Sequence, residues 1–204
     1  DLLLMKDLKI CGEITLPVHH CLISKSKDLK KITSIYAHGQ SLAQCHDWIA
    51  NNLPNAEKIT VLSNAEGAKI ASKEKHAAAI ASARAASIFK LNILQNHIED
   101  EPNNTTRFLI LSDQEISPSG NDKTSIVVAT KNKPGAIVDL IQPFALRKVS
   151  LTKLESRPSR IGMWEYVFFI DIEGHRDDSK IKLCLKDIEK KSSFMKFLGS
   201  YPKN

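Results

Sequence analysis

Several features that would place a protein in a class at once are missing from this 204-residue sequence. No run of about 18 apolar residues occurs, so no stretch is long enough for a membrane-spanning helix. Nothing in it has the form of a secretory signal peptide. Its four cysteines, Cys11, Cys21, Cys45 and Cys184, contain no Cys-x-x-Cys pair, and they read as reduced, mostly buried thiols of a cytoplasmic protein. Basic residues come in small groups such as Lys25-Ser26-Lys27 and Lys190-Lys191, and no strong cluster alternates with aromatics. The net charge of +6 therefore reads as a solvated basic surface that favours an anionic small substrate, with no nucleic acid as partner.

What is present is ordinary for a globular protein: 42% hydrophobic and 25% charged residues, enough for one large or two small domains. Residues 10–23, "ICGEITLPVHHCLI", read as extended structure. Their His19-His20-Cys21 triplet cannot hold one ion, because neighbours on a strand face opposite ways. Residues 38–54 read as a helix, with Leu42, Cys45, Trp48 and Ile49 at helical spacing and Pro54 at the exit. Residues 58–62 form a strand, and Ser63 then opens a helix with Glu66 at capping-box spacing. A short strand at 76–82 and an Ala-rich helix at 83–94 continue the alternation, which predicts an α/β layer with a parallel or mixed sheet. The polar stretch 113–122 reads as a boundary. Beyond it come a strand at 123–130, a helix at 133–148, strands at 150–158 and 163–174, a helix at 178–191 and a strand at 193–202. That order, βαββαβ, is a ferredoxin-like unit.

The words "ICGEITLPVHHCLI", "HGQSLAQC", "NTTRF", "KPGAIVDLI", "LESRPSRIGMWEYVFFID" and "FLGSYP" stand in this order along the chain. Together they resemble prephenate dehydratase, especially its form in bacterial bifunctional P-proteins, where a chorismate mutase domain precedes it. The resemblance implies a two-lobed, periplasmic-binding-protein-like catalytic domain over 1–113, a linker at 114–122 and an ACT regulatory domain over 123–204. The family's Gly-Thr-Tyr/Phe-Ser-like and Glu-Asn-Ser-like motifs are not found. With Asp1 in place of Met, that makes the expected chain a fragment whose catalytic domain lacks its first strands.

Prephenate carries two carboxylates and a ring hydroxyl. Its dehydration expels the hydroxyl with carbon dioxide and leaves an aromatic product, phenylpyruvate. The resemblance makes Thr106 the catalytic residue, a hydroxyl that donates to the departing oxygen, and implies no metal and no organic cofactor. Arg107 offers a bidentate hold on a carboxylate, although a structural ion pair is the competing reading. Asn104, Gln44, Ser63 and Asn64 complete the expected substrate contacts. Gly39 stands where the family has Pro. The resemblance places phenylalanine, as feedback inhibitor, on Asn132, Gly135-Ala136-Ile137-Val138 and Glu155-Ser156-Arg157-Pro158, at the interface of a homodimer or homotetramer. Two alternatives remain open on the sequence: arogenate dehydratase, or an inactive fragment that only senses phenylalanine.

Overall fold

The computed structural model describes residues 2–130, 133–158 and 166–203. The chain forms two compact units, one of Leu16–Thr106 and one of Asp1–Thr15 with Arg107–Asn204. It opens with α1 (Leu2–Met5) and β1 (Lys9–Pro17). β2 (Cys21–Ser24), β3 (Ser34–Ala37), α2 (Gly39–Gln44), α3 (His46–Asn52) and β4 (Glu57–Thr60) follow. Next come α4 (Asn64–Ala71), β5 (Ala77–Ala81), α5 (Ala83–Phe89) and β6 (Asn92–Gln95).

In the unit of residues 16–106 the strands form one mixed sheet in the order β4-β3-β5-β2-β6. β3 runs parallel to β4 and β5, while β2 is antiparallel to β5 and β6. Strand β5, Ala-Ala-Ala-Ile-Ala, is buried along its whole length, and its small side chains let helices cover both faces. Ile35, Ala37, Ala78 and Ile80 pack with Cys45, Ile49 and Leu53 on one face. Ile23, Ala77, Ala79 and Ala81 pack with Ala68, Ala71 and Ala86 on the other. At Gly67 in α4 an added Cβ would lie 2.6 Å from the Tyr36 carbonyl oxygen, which is backbone and cannot swing away. Gly67→Ala is therefore expected to lower stability by about 1–3 kcal/mol in urea unfolding. Gly39→Ala, whose Cβ meets only Thr60 Cγ2 at 3.6 Å, should be near-neutral.

The extended stretch 10–23 is found as expected, in two strands, because Pro17 ends β1 and the His20 amide donates to Glu99 Oε2 (2.8 Å) instead of to a ladder. Two sequence-based expectations need correction. The helix over 38–54 is two helices with a break at Cys45. There the Asp100 carboxylate accepts from the Asp47 and Trp48 amides (3.1 and 3.0 Å) and starts α3 afresh. The helix over 83–94 stops at Phe89. Lys90 adopts φ 54°, the Leu91 amide returns to the Ala86 carbonyl, and Asn92–Gln95 pairs with β2.

In the other unit β7 (Thr105–Ser112) pairs with β1 in a two-stranded sheet. Then come β8 (Asp122–Ala129), α6 (Ala136–Leu146), β9 (Leu151–Pro158), β10 (Tyr166–Glu173), α7 (Ser179–Lys191) and β11 (Phe194–Pro202). This is the expected βαββαβ order; residues 163–165 of the anticipated strand lie outside the described residues. The sheet order is β11-β8-β10-β9, with every neighbouring pair antiparallel. On one face Ile126, Val128, Ile170 and Ile172 meet Leu140, Phe144, Ile181 and Ile188 of the two helices. On the other, Val127, Val167, Leu198 and Tyr201 meet Ile10 of β1. No helix of the described residues is long and apolar enough to cross a membrane.

Candidate functional site

The parallel run β4-β3-β5 brings three strand ends to one edge, where ligands of such sheets collect. His38, Ser63 and Ser82 follow these strands and each caps the next helix, accepting from the amides of Gln40, Glu66 and Ala85. Asn64 ties two of these loops together. Its Oδ1 accepts from the His38 amide (2.9 Å), and its Nδ2 donates to Ser41 Oγ (2.8 Å). The polar atoms of Ser63 and Asn64 thus serve the fold of this edge.

A cavity of about 550 Å³ lies in the same unit, lined by Gln40, Ala43, Gln44, Glu99, Asp100, Glu101, Asn103 and Asn104. Two expected contacts, Gln44 and Asn104, meet here; Ser63 and Asn64 are not in its lining. Gln44 is held at both ends. Its Oε1 lies 3.0 Å from His20 Nε2, and its carbonyl accepts from the Asp100 amide (2.8 Å). The Asn104 carbonyl accepts from the Val18 amide (2.8 Å), which pins the chain two residues before Thr106. Thr106 itself is exposed on β7.

No lining residue is cationic, so an anion here would meet amide N–H donors. Two of the three carboxylates in the lining are already engaged. Asp100 caps α3. The Glu99 side chain, 3% exposed, lies 2.8 Å from His19 Nδ1 and 3.4 Å from His97 Nδ1. Burial alone would raise the Glu99 pKa, but hydrogen bonds from His19, the His20 amide and His97 outweigh it and bring it to about 2. The same carboxylates, with burial as the larger cause, push the Cys45 thiol up to about 12, so it is an inert core group. Gln40, Glu99 and Asn103 were not singled out in the sequence. The signal for Glu99 and Asn103 lay in the polar run that precedes Thr105-Thr106-Arg107, "NHIEDEPNN", and Gln40 stands within "HGQSLAQC".

Arg107 sits differently from its neighbours. Its Nε lies 2.6 Å from Glu13 Oε2, its Nη1 2.5 Å from Asp171 Oδ2, and its Nη2 donates to the Tyr201 hydroxyl at 2.6 Å. Lys123 Nζ meets the second Glu13 oxygen (2.7 Å), and Ser125 Oγ bonds both Asp171 and Tyr201. Two cations and two carboxylates thus balance in a largely buried network joining β1, β7, β8, β10 and β11. The Arg107 guanidinium is thus engaged in ion pairs, the contact that the competing reading of Arg107 expects.

The residues expected to hold phenylalanine lie in the unit that contains β8–β11. Gly135 adopts φ 78°, a conformation that favours glycine, and opens α6 with no side-chain cap. Ala136 is buried, while Ile137 and Val138 are exposed. Glu155, Ser156, Arg157 and Pro158 end the edge strand β9. Glu155 pairs with Arg157 Nε (2.7 Å) and Lys153 Nζ (2.8 Å), and the Arg157 guanidinium stacks over the Phe169 ring. Asn132 lies outside the described residues.

Comparison with known proteins gives two family matches: Prephenate dehydratase over residues 1–116 and ACT domain over residues 124–190. The chain is 48% identical over 205 residues to a bifunctional chorismate mutase/prephenate dehydratase of Neisseria gonorrhoeae, covering 99% of this chain and 57% of that protein. It is 38% identical over 207 residues to a prephenate dehydratase of Methanocaldococcus jannaschii, covering 99% of this chain and 74% of that protein. A crystal structure of prephenate dehydratase from Arthrobacter aurescens in complex with L-Phe matches with a TM-score of 0.83 and 32% identity. That match covers 100% of this chain and 68% of the other. The chain spans just over half the length of the bifunctional relatives it matches.

Proposed function

Since this chain belongs to the prephenate dehydratase family, we propose that it carries dehydratase and phenylalanine-sensing parts of a cytoplasmic enzyme that converts prephenate to phenylpyruvate in phenylalanine biosynthesis. The observation that supports this reading most directly is the meeting of Gln44 and Asn104 in one cavity, with Thr106 two residues further along the chain. In this reading the amides of Gln44 and Asn104 bind and orient the dianion. The Thr106 hydroxyl donates a hydrogen bond to the ring oxygen as its bond to carbon breaks. Electrons from the carboxylate that leaves as carbon dioxide move into the ring, and the oxygen leaves as hydroxide. Donors placed where this charge develops lower the barrier. Ser63 and Asn64 shape the strand-end loops, and Arg107 secures β7.

We assign residues 1–113 to the catalytic part, 114–122 to a linker and 123–204 to the ACT domain. The uncapped N-terminus of α6 at Gly135 suits the carboxylate of phenylalanine. Glu155-Ser156-Arg157-Pro158 on the open edge of β9, with exposed Ile137 and Val138, suit a subunit interface in a homodimer or homotetramer that encloses the inhibitor. Phenylalanine would then favour one population of the enzyme over another.

The test is turnover of prephenate by this chain, with and without phenylalanine. Turnover suppressed by phenylalanine supports the reading. A folded chain that binds phenylalanine without turnover replaces it with a regulatory module. Faster turnover of arogenate than of prephenate reassigns the substrate.

A further inference from the structure

One cluster of ligand-forming side chains serves no part of the proposed reaction. His19 lies in the β1–β2 connection, and His97 and Glu99 follow β6. The fold brings them together from 78 and 80 residues apart. His19 Nδ1 is 2.8 Å from Glu99 Oε1, His97 Nδ1 is 3.4 Å from the same oxygen, and the two ring nitrogens are 3.1 Å apart. The imidazole rings meet edge to face with centroids 4.4 Å apart. We propose that His19 Nδ1, His97 Nδ1 and Glu99 Oε1 form a binding site for a divalent transition-metal ion of the zinc type.

Three observations carry this. First, the spacing fits. A tetrahedral zinc ion with bonds of about 2.0–2.2 Å separates its ligand atoms by roughly 3.3–3.5 Å. The His97–Glu99 spacing already matches, the two nitrogens fall slightly short, and the His19–Glu99 pair must open by roughly half an ångström. His19 and His97 are 46% and 66% exposed, so their rings are free to make that adjustment.

Second, the carboxylate is built in. Glu99 is 3% exposed, and its other oxygen, Oε2, accepts from the His20 amide, which aims Oε1 at the two imidazoles. Third, the backbone at His97 adopts φ 51°, a left-handed conformation that non-glycine residues rarely take, and it holds the ring over Glu99.

The donor set is two nitrogens and one oxygen, with the outer side open to water. It suits borderline ions such as zinc, and it offers too few oxygens for calcium. His20 is not a ligand, since its Nε2 lies 3.0 Å from Gln44 Oε1. Cys21 is not one either, since its Sγ donates to Asn96 Oδ1. The bound ion would tie the β1–β2 connection to the loop after β6, next to the cavity that Glu99 helps to line. The sequence expectation of no metal considered His19 with His20 and Cys21; the triad found here shares only His19 with that triplet.

The test is calorimetric titration of the chain with zinc chloride, backed by cobalt(II) absorption spectroscopy. One ion should bind per chain, with a rise in thermal midpoint. His97→Asn keeps a residue that tolerates the left-handed backbone and removes the imidazole; it should weaken binding at least tenfold, as should Glu99→Gln. His76→Ala, at an exposed histidine outside the cluster, should bind as the parent does. Absence of binding would mean the three groups only share protons. Binding unchanged in His97→Asn would place the metal elsewhere. Either result overturns the proposal, and neither touches the dehydratase reading, whose readout is turnover.

Discussion

Thr106→Val and Thr106→Ala are expected to lower kcat for prephenate by ~10²–10⁴-fold in the active enzyme, while Thr106→Ser retains most of it. The reason is local. Prephenate loses a hydroxyl that is a poor leaving group, and Thr106 offers a hydroxyl donor at the start of β7. Removing that donor raises the barrier by roughly 3–5 kcal/mol, since each tenfold loss is about 1.36 kcal/mol. Valine is the sharper test than alanine because it keeps the branched shape that β7 accepts and loses only the oxygen. Thr106 is exposed, so these variants should fold with stability within about 0.5 kcal/mol of the parent. A fall in kcat with KM unchanged is the signature of an interaction made mainly in the transition state. Parent-like kcat in Thr106→Val would remove Thr106 from the chemistry.

The second large effect is on stability. Arg107→Ala is expected to cost about 3 kcal/mol in urea unfolding. The Glu13 and Asp171 side chains are 1% and 8% exposed, and Arg107 bridges them. Deleting one partner of a buried pair costs about 3–5 kcal/mol because the remaining charge stays desolvated. The lower end applies because the Arg107 side chain is 26% exposed and water softens the loss. Arg107→Lys keeps the charge but not the fork that reaches Glu13, Asp171 and Tyr201 together, so it should recover only part of the loss. Arg147→Ala is the control. Arg147 also bonds a carboxylate, Asp187, at 2.8 Å, but both side chains are more than a third exposed, so the cost should stay near or below about 1 kcal/mol. Equal losses for Arg107→Ala and Arg147→Ala would mean that the network contributes no more than a surface pair. The anchor also bears on Thr106, since adjacent strand residues face opposite ways and fixing Arg107 turns Thr106 to the other side of β7.

Local signals read well wherever the chain decides its own conformation. Ser63 caps α4 as its capping-box spacing predicts, the strand-helix alternation yields a mixed sheet, and the stretch from Asp122 to Pro202 follows the βαββαβ order. They fail where a distant group takes over. Helix α3 starts at His46 because Asp100, more than fifty residues away, satisfies its first amides. The helix expected through Leu94 ends at Phe89 because Asn92–Gln95 finds a ladder on β2. In both places the local apolar pattern fitted a continuous helix, and hydrogen bonds from elsewhere in the chain decided otherwise.

The sequence by itself determined the class of the protein, the order of its elements and the stretch that carries Thr106, because composition, periodicity and short motifs are local properties. Tertiary structure alone decided which polar groups meet. It joined Gln44 and Asn104 in one cavity, bound Arg107 to Glu13, Asp171 and Tyr201, and drew His19, His97 and Glu99 within 3.4 Å of one another. A side chain's role depends on its partners and on how much water surrounds it, and both are set by contacts between residues far apart in the chain.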